Sequence, residues 1–284
     1  MNNTNAESIS AERPILITGC SSGIGYCLAH GLQARGFPVF ASCRKVADVK
    51  RLRHEGLECL RLDLDSTASI EAAVADVLAR TGGRLYGLVN NGAYGQPGAV
   101  EDLSREVLRA QFETNLFGTH ELTTRVLPTM RAAGEGRIVQ ISSILGLLCL
   151  RYRGAYNASK YALEALSDTL RLELRGSGIE VSLIEPGPIR SDFRRNAWRH
   201  FEAFIDQASS PHRGYYAAVE KRLQSLDDAA FTLAPEAVLK CARHALESRR
   251  PKVRYPVTLP TRVLPPMKRL LPDRWMDRLL AKIG

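Results

Sequence analysis

The chain has 284 residues, 45% of them hydrophobic and 24% charged, a composition that belongs to a globular protein able to bury a large core and excludes a disordered one. Its formal net charge of +9 points to an acidic partner: nucleic acid, an anionic membrane surface or a phosphate-bearing cofactor. The sequence lacks a basic–aromatic nucleic-acid motif, an apolar run of about eighteen residues, an apolar leader core in residues 1–12 and a C-x-x-C pair, so a cytoplasmic, non-secreted protein without nucleic acid is expected.

In chain order, residues 1–12 read as a polar, flexible tail, and from Pro14 short apolar runs alternate with amphipathic stretches. Strands are predicted at 14–18, 38–42, 57–62, 85–90, 137–142 and 180–184. Between them, helices are predicted at 24–35, 46–55, 66–80, 105–130 and 156–175, the fourth broken near Leu127–Pro128. Such alternation gives a parallel sheet with helices on both faces, and right-handed crossovers make it a doubly wound, Rossmann-type α/β fold. After Pro186 the rhythm stops. Residues 190–230, charged and aromatic without strand character, are expected to cover the site as an insertion in a single domain spanning 13–284. A helix over 235–247 and an edge strand over 252–257 follow. Pro265-Pro266 is expected to end whatever precedes it, leaving an amphipathic C-terminal tail (264–284) interrupted at Pro272.

The turn after the first strand reads Thr18-Gly19-Cys20-Ser21-Ser22-Gly23-Ile24-Gly25. Glycines between a strand and a helix let backbone N–H groups approach a pyrophosphate at the helix N-terminus. Strand two ends Cys43-Arg44-Lys45, with two cations where an NAD site carries an acid. Arg44 suits bidentate contact with a 2′-phosphate and Lys45 adds positive potential, so NADP(H) is the expected cofactor. Tyr156 and Lys160, four residues apart, share a helix face about one turn (~5.4 Å) apart. A tyrosine titrating near ~10 becomes a useful acid/base if a neighbouring ammonium favours its phenolate. Ser143 ends strand five; Ser142 is its competitor, and alternation along a strand lets only one of them face the site. No His/Cys/Asp cluster has metal-ligand spacing, so no metal is expected.

With its T-G-x-x-x-G-x-G turn and Y-x-x-x-K helix, the segment from Pro14 to Ser191 resembles the short-chain dehydrogenase/reductase family. The resemblance implies a catalytic tetrad of Asn115, Ser143, Tyr156 and Lys160, with Ser143 thirteen residues before Tyr156 and Asn115 holding a water of the proton relay. It also implies cofactor contacts from Gly19, Ser21, Ser22, Gly23, Ile24, Gly25, Asp63, Asn90, Gly92, Pro186, Gly187, Ile189 and Ser191, besides Tyr156 and Lys160. Asp63 is placed at the adenine, its other reading being a loop cap, and Asn90-Asn91-Gly92-Ala93 inverts the last pair of the family's usual N-N-A-G. Within the family the chain looks most like the hydroxysteroid/retinol dehydrogenase branch, which implies an apolar alcohol, aldehyde or ketone substrate: a steroid, a retinoid or a long-chain aldehyde. Leu145, Leu147, Leu148, Leu150, Phe193, Trp198 and Phe201 are candidates to line its pocket or to belong to the core. Two other readings are a non-catalytic NADPH sensor and a membrane-surface protein using the basic, apolar tail. Homo-oligomerisation as a dimer or tetramer is a further expectation.

Overall fold

The computed structural model describes residues 12–225 and 227–283, so the tail predicted over 1–12 lies almost wholly outside the described residues. Seven strands form one parallel sheet in the order β3-β2-β1-β4-β5-β6-β7. They are β1 (Ile15–Ile17), β2 (Val39–Cys43), β3 (Glu58–Arg61), β4 (Gly87–Asn90), β5 (Gly136–Ile141), β6 (Ile179–Glu185) and β7 (Arg254–Pro256). Strand order reverses beside β1, where β1 pairs with both β2 and β4; in a doubly wound sheet that switch point opens a crevice at the carboxyl ends.

The central strands are buried on both faces, which is why they read as continuous apolar runs. Ile15 and Ile17 face one core and Leu16 the other, so each sheet face has its own helical layer. The first layer holds α1 (Gly23–Gln33), α2 (Val46–His54) and α9 (Glu236–Glu247), which contribute Leu28, Leu32, Leu52, Val238 and Leu246. The second holds α3 (Thr67–Arg80), α5 (Thr119–Ala133) and α6 (Gly154–Glu173), contributing Ile70, Val77, Leu122, Val126 and Met130. The Ser66 hydroxyl caps α3 by accepting from the Ser69 N–H at 3.3 Å.

Two proline expectations are overturned. The stretch predicted to break near Pro128 runs through it as α5, and the irregularity lies earlier, in a π-helical turn at Glu113–Gly118 between α4 (Arg105–Phe112) and α5. Pro128 is exposed, as is Thr124, whose carbonyl it leaves without an N–H, so water replaces the missing bond. Likewise Pro265 and Pro266 lie inside α10 (Leu259–Leu270). That helix presents most of its residues to solvent, and its chain resumes after Pro272 as α11 (Asp273–Ile283). Residues 190–230 form two helices, α7 (Phe193–Phe204) and α8 (Arg213–Gln224), packed on each other through Phe201 and Tyr216 (centroids 5.1 Å apart). A bridge between Ile189 and Leu233 closes the base of this excursion.

Candidate active site

The turn from β1 to α1 is shaped by close backbone packing. Gly19 adopts φ +69°, and a Cβ on Gly25 would lie 2.2 Å from the Gly19 carbonyl oxygen, so only glycine fits there. The N-cap of α1, Ser22, makes no side-chain capping bond, and no acid occupies the first turn. Free N–H groups at a positive helix end fit an anion such as a dinucleotide's diphosphate. Ser191 stands beside the same turn: a Cβ on Gly23 would come within 2.8 Å of the Ser191 Cβ.

The rest of the predicted nucleotide set surrounds this crevice with differing degrees of freedom. Arg44 and Lys45 are exposed at the end of β2, with no acid between them and the turn. The charge of Arg44 acts on Tyr94 and His200, whose rings stack at 4.1 Å, so it points toward the site. One Asp63 carboxylate oxygen accepts from the Asp65 N–H at 3.3 Å, which is the loop-capping role; its second oxygen has no such duty. The Asn90 side chain turns away, donating to Thr123 Oγ1 at 2.9 Å, so anything Asn90 offers a nucleotide comes from its main chain. Gly92 N–H donates to Thr18 Oγ1 at 2.8 Å, and the Pro186 carbonyl accepts from the Ile144 N–H at 2.8 Å. Gly187 is pressed against the Thr258 hydroxyl, where a Cβ would sit at 2.1 Å.

At the carboxyl ends of β5 and β6 the tetrad residues come together. Tyr156 lies in the first turn of α6, and its phenol stands near enough to Ser143, the last residue before the turn at Ile144–Gly146, for that hydroxyl to favour the phenolate. Ser142 faces the opposite way, toward Glu164, as strand alternation requires. Both amide hydrogens of Asn115 are used, one on the Tyr94 carbonyl (2.9 Å) and one on Ser159 Oγ (3.2 Å), while its Oδ1 accepts from the Tyr94 N–H (3.1 Å). The π turn delivers Asn115 to this position with its side-chain amide fully engaged.

Burial pushes the Tyr156 phenol up to about 12, opposed by the Ser143 hydroxyl and by the positive charge of Arg153. Lys160 stands beside the ring, with its ammonium also engaged elsewhere. Its ammonium donates to the Ile141 carbonyl at 2.8 Å and lies 5.7 Å from the Tyr156 ring centre. Burial holds that ammonium down to about 8 against the pull of Glu164. Poising Tyr156 near neutrality therefore needs a further positive charge, which an oxidised nicotinamide carries.

Around the tyrosine, Phe193 of α7 meets the Tyr156 ring edge-on at 5.3 Å. Leu145 and Leu148 are buried, with partly buried Leu150, Tyr156, Leu264 and Leu280 packed against them, so α10 and α11 lie over the loop beside Tyr156. Lys268 fastens α10 there by donating to Tyr161 Oη (2.6 Å) and to the Leu147 carbonyl (3.1 Å). Of the other pocket candidates, Phe201 is wholly buried between α7 and α8 and belongs to the core, with Trp198 packed beside it. In the C-terminal tail, Leu270 and Trp275 face solvent at 83% and 64% exposure, while Met276 is buried.

Three supporting residues escaped the sequence reading. The Thr18 hydroxyl accepts from both Asn91 N–H (2.9 Å) and Gly92 N–H, and the Asn91 amide donates to the Thr18 and Gly19 carbonyls (3.0 and 3.1 Å), tying β4 to the nucleotide turn. Arg51 donates to the Ser21 carbonyl at 2.6 Å from α2. Thr18 and Asn91 stood inside quoted motifs; Arg51, thirty residues from Ser21, carried no local signal.

Sheet order, uncapped turn and the Tyr156–Lys160 helix face together define a Rossmann-type oxidoreductase. The family model described as short chain dehydrogenase matches residues 13–201, and the chain belongs to the short-chain dehydrogenase/reductase family, in a hydroxysteroid/retinol-like branch. It is 48% identical over 270 residues to the uncharacterized oxidoreductase YbbO of Escherichia coli strain K12, covering 95% of this chain and 94% of that one. Retinol dehydrogenase 16 of Rattus norvegicus is 37% identical over 86% of this chain and 80% of its own length. An NADPH-dependent 3-dehydrocapnine reductase of Ornithobacterium rhinotracheale is 32% identical over 95% and 96%. Among solved structures, a short-chain dehydrogenase from Streptomyces avermitilis superposes with a TM-score of 0.76 at 30% identity, covering 95% of this chain and 97% of its own.

Proposed function

We propose that this protein transfers a hydride between NADP(H) and the carbinol or carbonyl carbon of an apolar alcohol, aldehyde or ketone, with Tyr156 as general acid/base. The observation that carries this reading is the placement of Tyr156 beside Ser143, close enough for that hydroxyl to act on its phenol, next to the uncapped, glycine-built turn at β1. Ser143 orients the substrate oxygen, and Tyr156 donates its phenolic proton as that oxygen becomes an alkoxide, or accepts it in the oxidative direction. Lys160 holds the ribose hydroxyls, and Asn115 with its water links Lys160 to solvent. A bound nicotinamide supplies the hydride or accepts it. Gly19, Ser21, Ser22, Gly23, Ile24 and Gly25 hold the diphosphate, Asp63 and the Asn90–Gly92 segment the adenosine side, and Pro186, Gly187, Ile189 and Ser191 the nicotinamide side.

Arg44 and Lys45 hold the 2′-phosphate, a reading supported by their exposure and by an NADPH-dependent relative. The apolar substrate class is supported by retinol and hydroxysteroid dehydrogenases among the relatives and by the leucines beside Tyr156. Exposed Phe117, Leu166 and Leu172 support self-association. Six free cysteines fit a cytoplasmic setting, and among the described residues no helix is long and apolar enough to cross a membrane. Initial rates of NADPH and NADH oxidation across steroid, retinoid and aliphatic carbonyls test the proposal. Turnover is expected with NADPH and apolar carbonyls; none with either cofactor overturns it.

A further inference from the structure

Beside Tyr156 the structure carries more positive charge than the reaction described above uses. Arg153 is the N-cap of α6, three residues before Tyr156 and on the same side of the helix. Its Nε is buried with no hydrogen-bond partner, and among the described residues no carboxylate pairs with it. The chain is held in a strained left-handed conformation at Tyr152 (φ +60°), with the Tyr152 carbonyl accepting from the Gly98 N–H at 3.0 Å, and this fixes where Arg153 begins.

Two more guanidinium groups meet it from the covering helices. Arg194 of α7 and Arg222 of α8 both lie close enough for their charges to disfavour the charged form of Arg153, and Arg194 acts on Arg222 in the same way. Burial and this mutual repulsion bring Arg153 down to about 9, far below an ordinary guanidinium. Arg222 also makes no ion pair among the described residues. Arg194 donates to the Asp227 carbonyl at 2.8 Å and is felt by Asp228, whose carboxylate is engaged by Arg190.

Half-buried like charges without a counterion cost stability, and an oxyanion that accepts from their N–H groups turns that cost into binding. The cofactor's own anionic groups are already provided for at the β1 turn and the end of β2. We propose that Arg153, Arg194 and Arg222 bind an anionic group of the substrate (a carboxylate, phosphate or sulfonate) lying a few bonds from the carbonyl at Tyr156. This rests on the proposed oxidoreductase reading and narrows its substrate class. The substrate is then an amphiphile, with its oxyanion under α7 and α8 and its apolar chain running past Phe193 toward Leu145 and Leu150.

The test separates binding from turnover. Isothermal titration of the full chain, with and without NADP⁺, compares hexylphosphonate with 1-hexanol in the wild type and in Arg153→Gln, Arg222→Gln and Arg153→Lys. Hexylphosphonate is expected to bind at least about ten-fold more tightly than 1-hexanol, and each glutamine variant to lose about ten-fold or more, with Arg153→Lys recovering part of it. In parallel, the ratio of kcat/KM for 2-oxo-octanoate to that for 2-octanone is expected to fall in the same variants. Equal binding of the two ligands by the wild type overturns the proposal, as does phosphonate binding unchanged in both glutamine variants. An equal loss of NADP⁺ affinity in those variants also overturns it, by making the arginines part of the cofactor site. Absence of turnover with both ketones, with phosphonate binding intact, would instead count against the oxidoreductase reading alone.

Discussion

The two halves of the site are built on different physical terms. On the nucleotide side, backbone meets backbone: Gly25 lies against the Gly19 carbonyl, Gly19 against Gly92, and Thr18 and Asn91 stitch the strands beneath. The substrate side is made of large side chains on separate helices: Phe193 on α7, Arg222 on α8, and Leu264 and Leu280 on α10 and α11. A site made of close backbone contacts tolerates no added methyl, whereas one made of side chains can change its ligand without losing its frame. The nucleotide half therefore fixes what the fold carries, and the substrate half fixes what it acts on.

The sharpest way to break this comparison is at the point where the halves meet. Tyr156→Phe removes one oxygen and no packing, so kcat is expected to fall by about 10³-fold with cofactor affinity within about two-fold of wild type. Stopped-flow rates and fluorescence titration with NADPH check both, and retained turnover would remove the acid/base role. In the nucleotide half, Gly25→Ala pushes a Cβ against the Gly19 carbonyl and is expected to cost about 2–4 kcal/mol of stability and most of the cofactor affinity. The same change at Gly214 on α8, where an added Cβ would meet nothing within 4 Å, is the control, expected to leave stability unchanged or raise it by up to about 1 kcal/mol.

Lys160 tests how far burial is offset by function. An ammonium held near 8 rather than 10.5 weakens the folded state by about 3 kcal/mol at any pH below 8, where both folded and unfolded chains are protonated. Its bond to the Ile141 carbonyl returns about 1 kcal/mol. Lys160→Met is thus expected to stabilise the unliganded protein by about 2 kcal/mol at pH 7 while impairing catalysis. That gain fades between pH 8 and 10.5, as first the folded and then the unfolded lysine loses its proton. Thermal melts at pH 7 and pH 10 decide it.

Cofactor choice is expected to move by about 10- to 100-fold. Arg44→Asp should lower the NADPH-to-NADH ratio of kcat/KM by that factor, since it removes the phosphate's partner and installs a carboxylate that repels it. Placing the acid at Cys43 is a poorer choice, because Cys43 is buried beside Cys59 and a carboxylate there has no solvent. The smallest effect is expected at the C-terminus. Lys268→Ala should cost less than about 1 kcal/mol and raise KM for long-chain substrates more than for short ones, because it loosens α10 over the loop at Ile144–Leu148. Co-sedimentation with anionic liposomes, repeated with Trp275→Ser, shows separately whether the exposed Leu270 and Trp275 touch a lipid surface.

Strand–helix alternation, the glycine turn and the four tetrad positions were all legible by eye, because each is a local pattern whose meaning depends on spacing along the chain. Ser143 was separated from Ser142 by the two-residue period of a strand, and the structure turns the two hydroxyls to opposite sides for that reason. Where local rules met mostly exposed helices they failed: Pro128, Pro265 and Pro266 lie within helices rather than ending them.

What the sequence by itself determined is the order of the elements, the parallel sheet, and which side chains meet at the carboxyl ends of β5 and β6. Tertiary structure alone decided that α10 and α11 pack beside Tyr156, that Arg51 braces Ser21 from another helix, and that Lys160 spends its ammonium on Ile141. It also decided that Arg153, Arg194 and Arg222, drawn from three elements, share one half-buried corner. Such couplings join residues tens of positions apart. Their strength depends on distance and on exclusion of water, and neither is encoded in the spacing of residues along a chain.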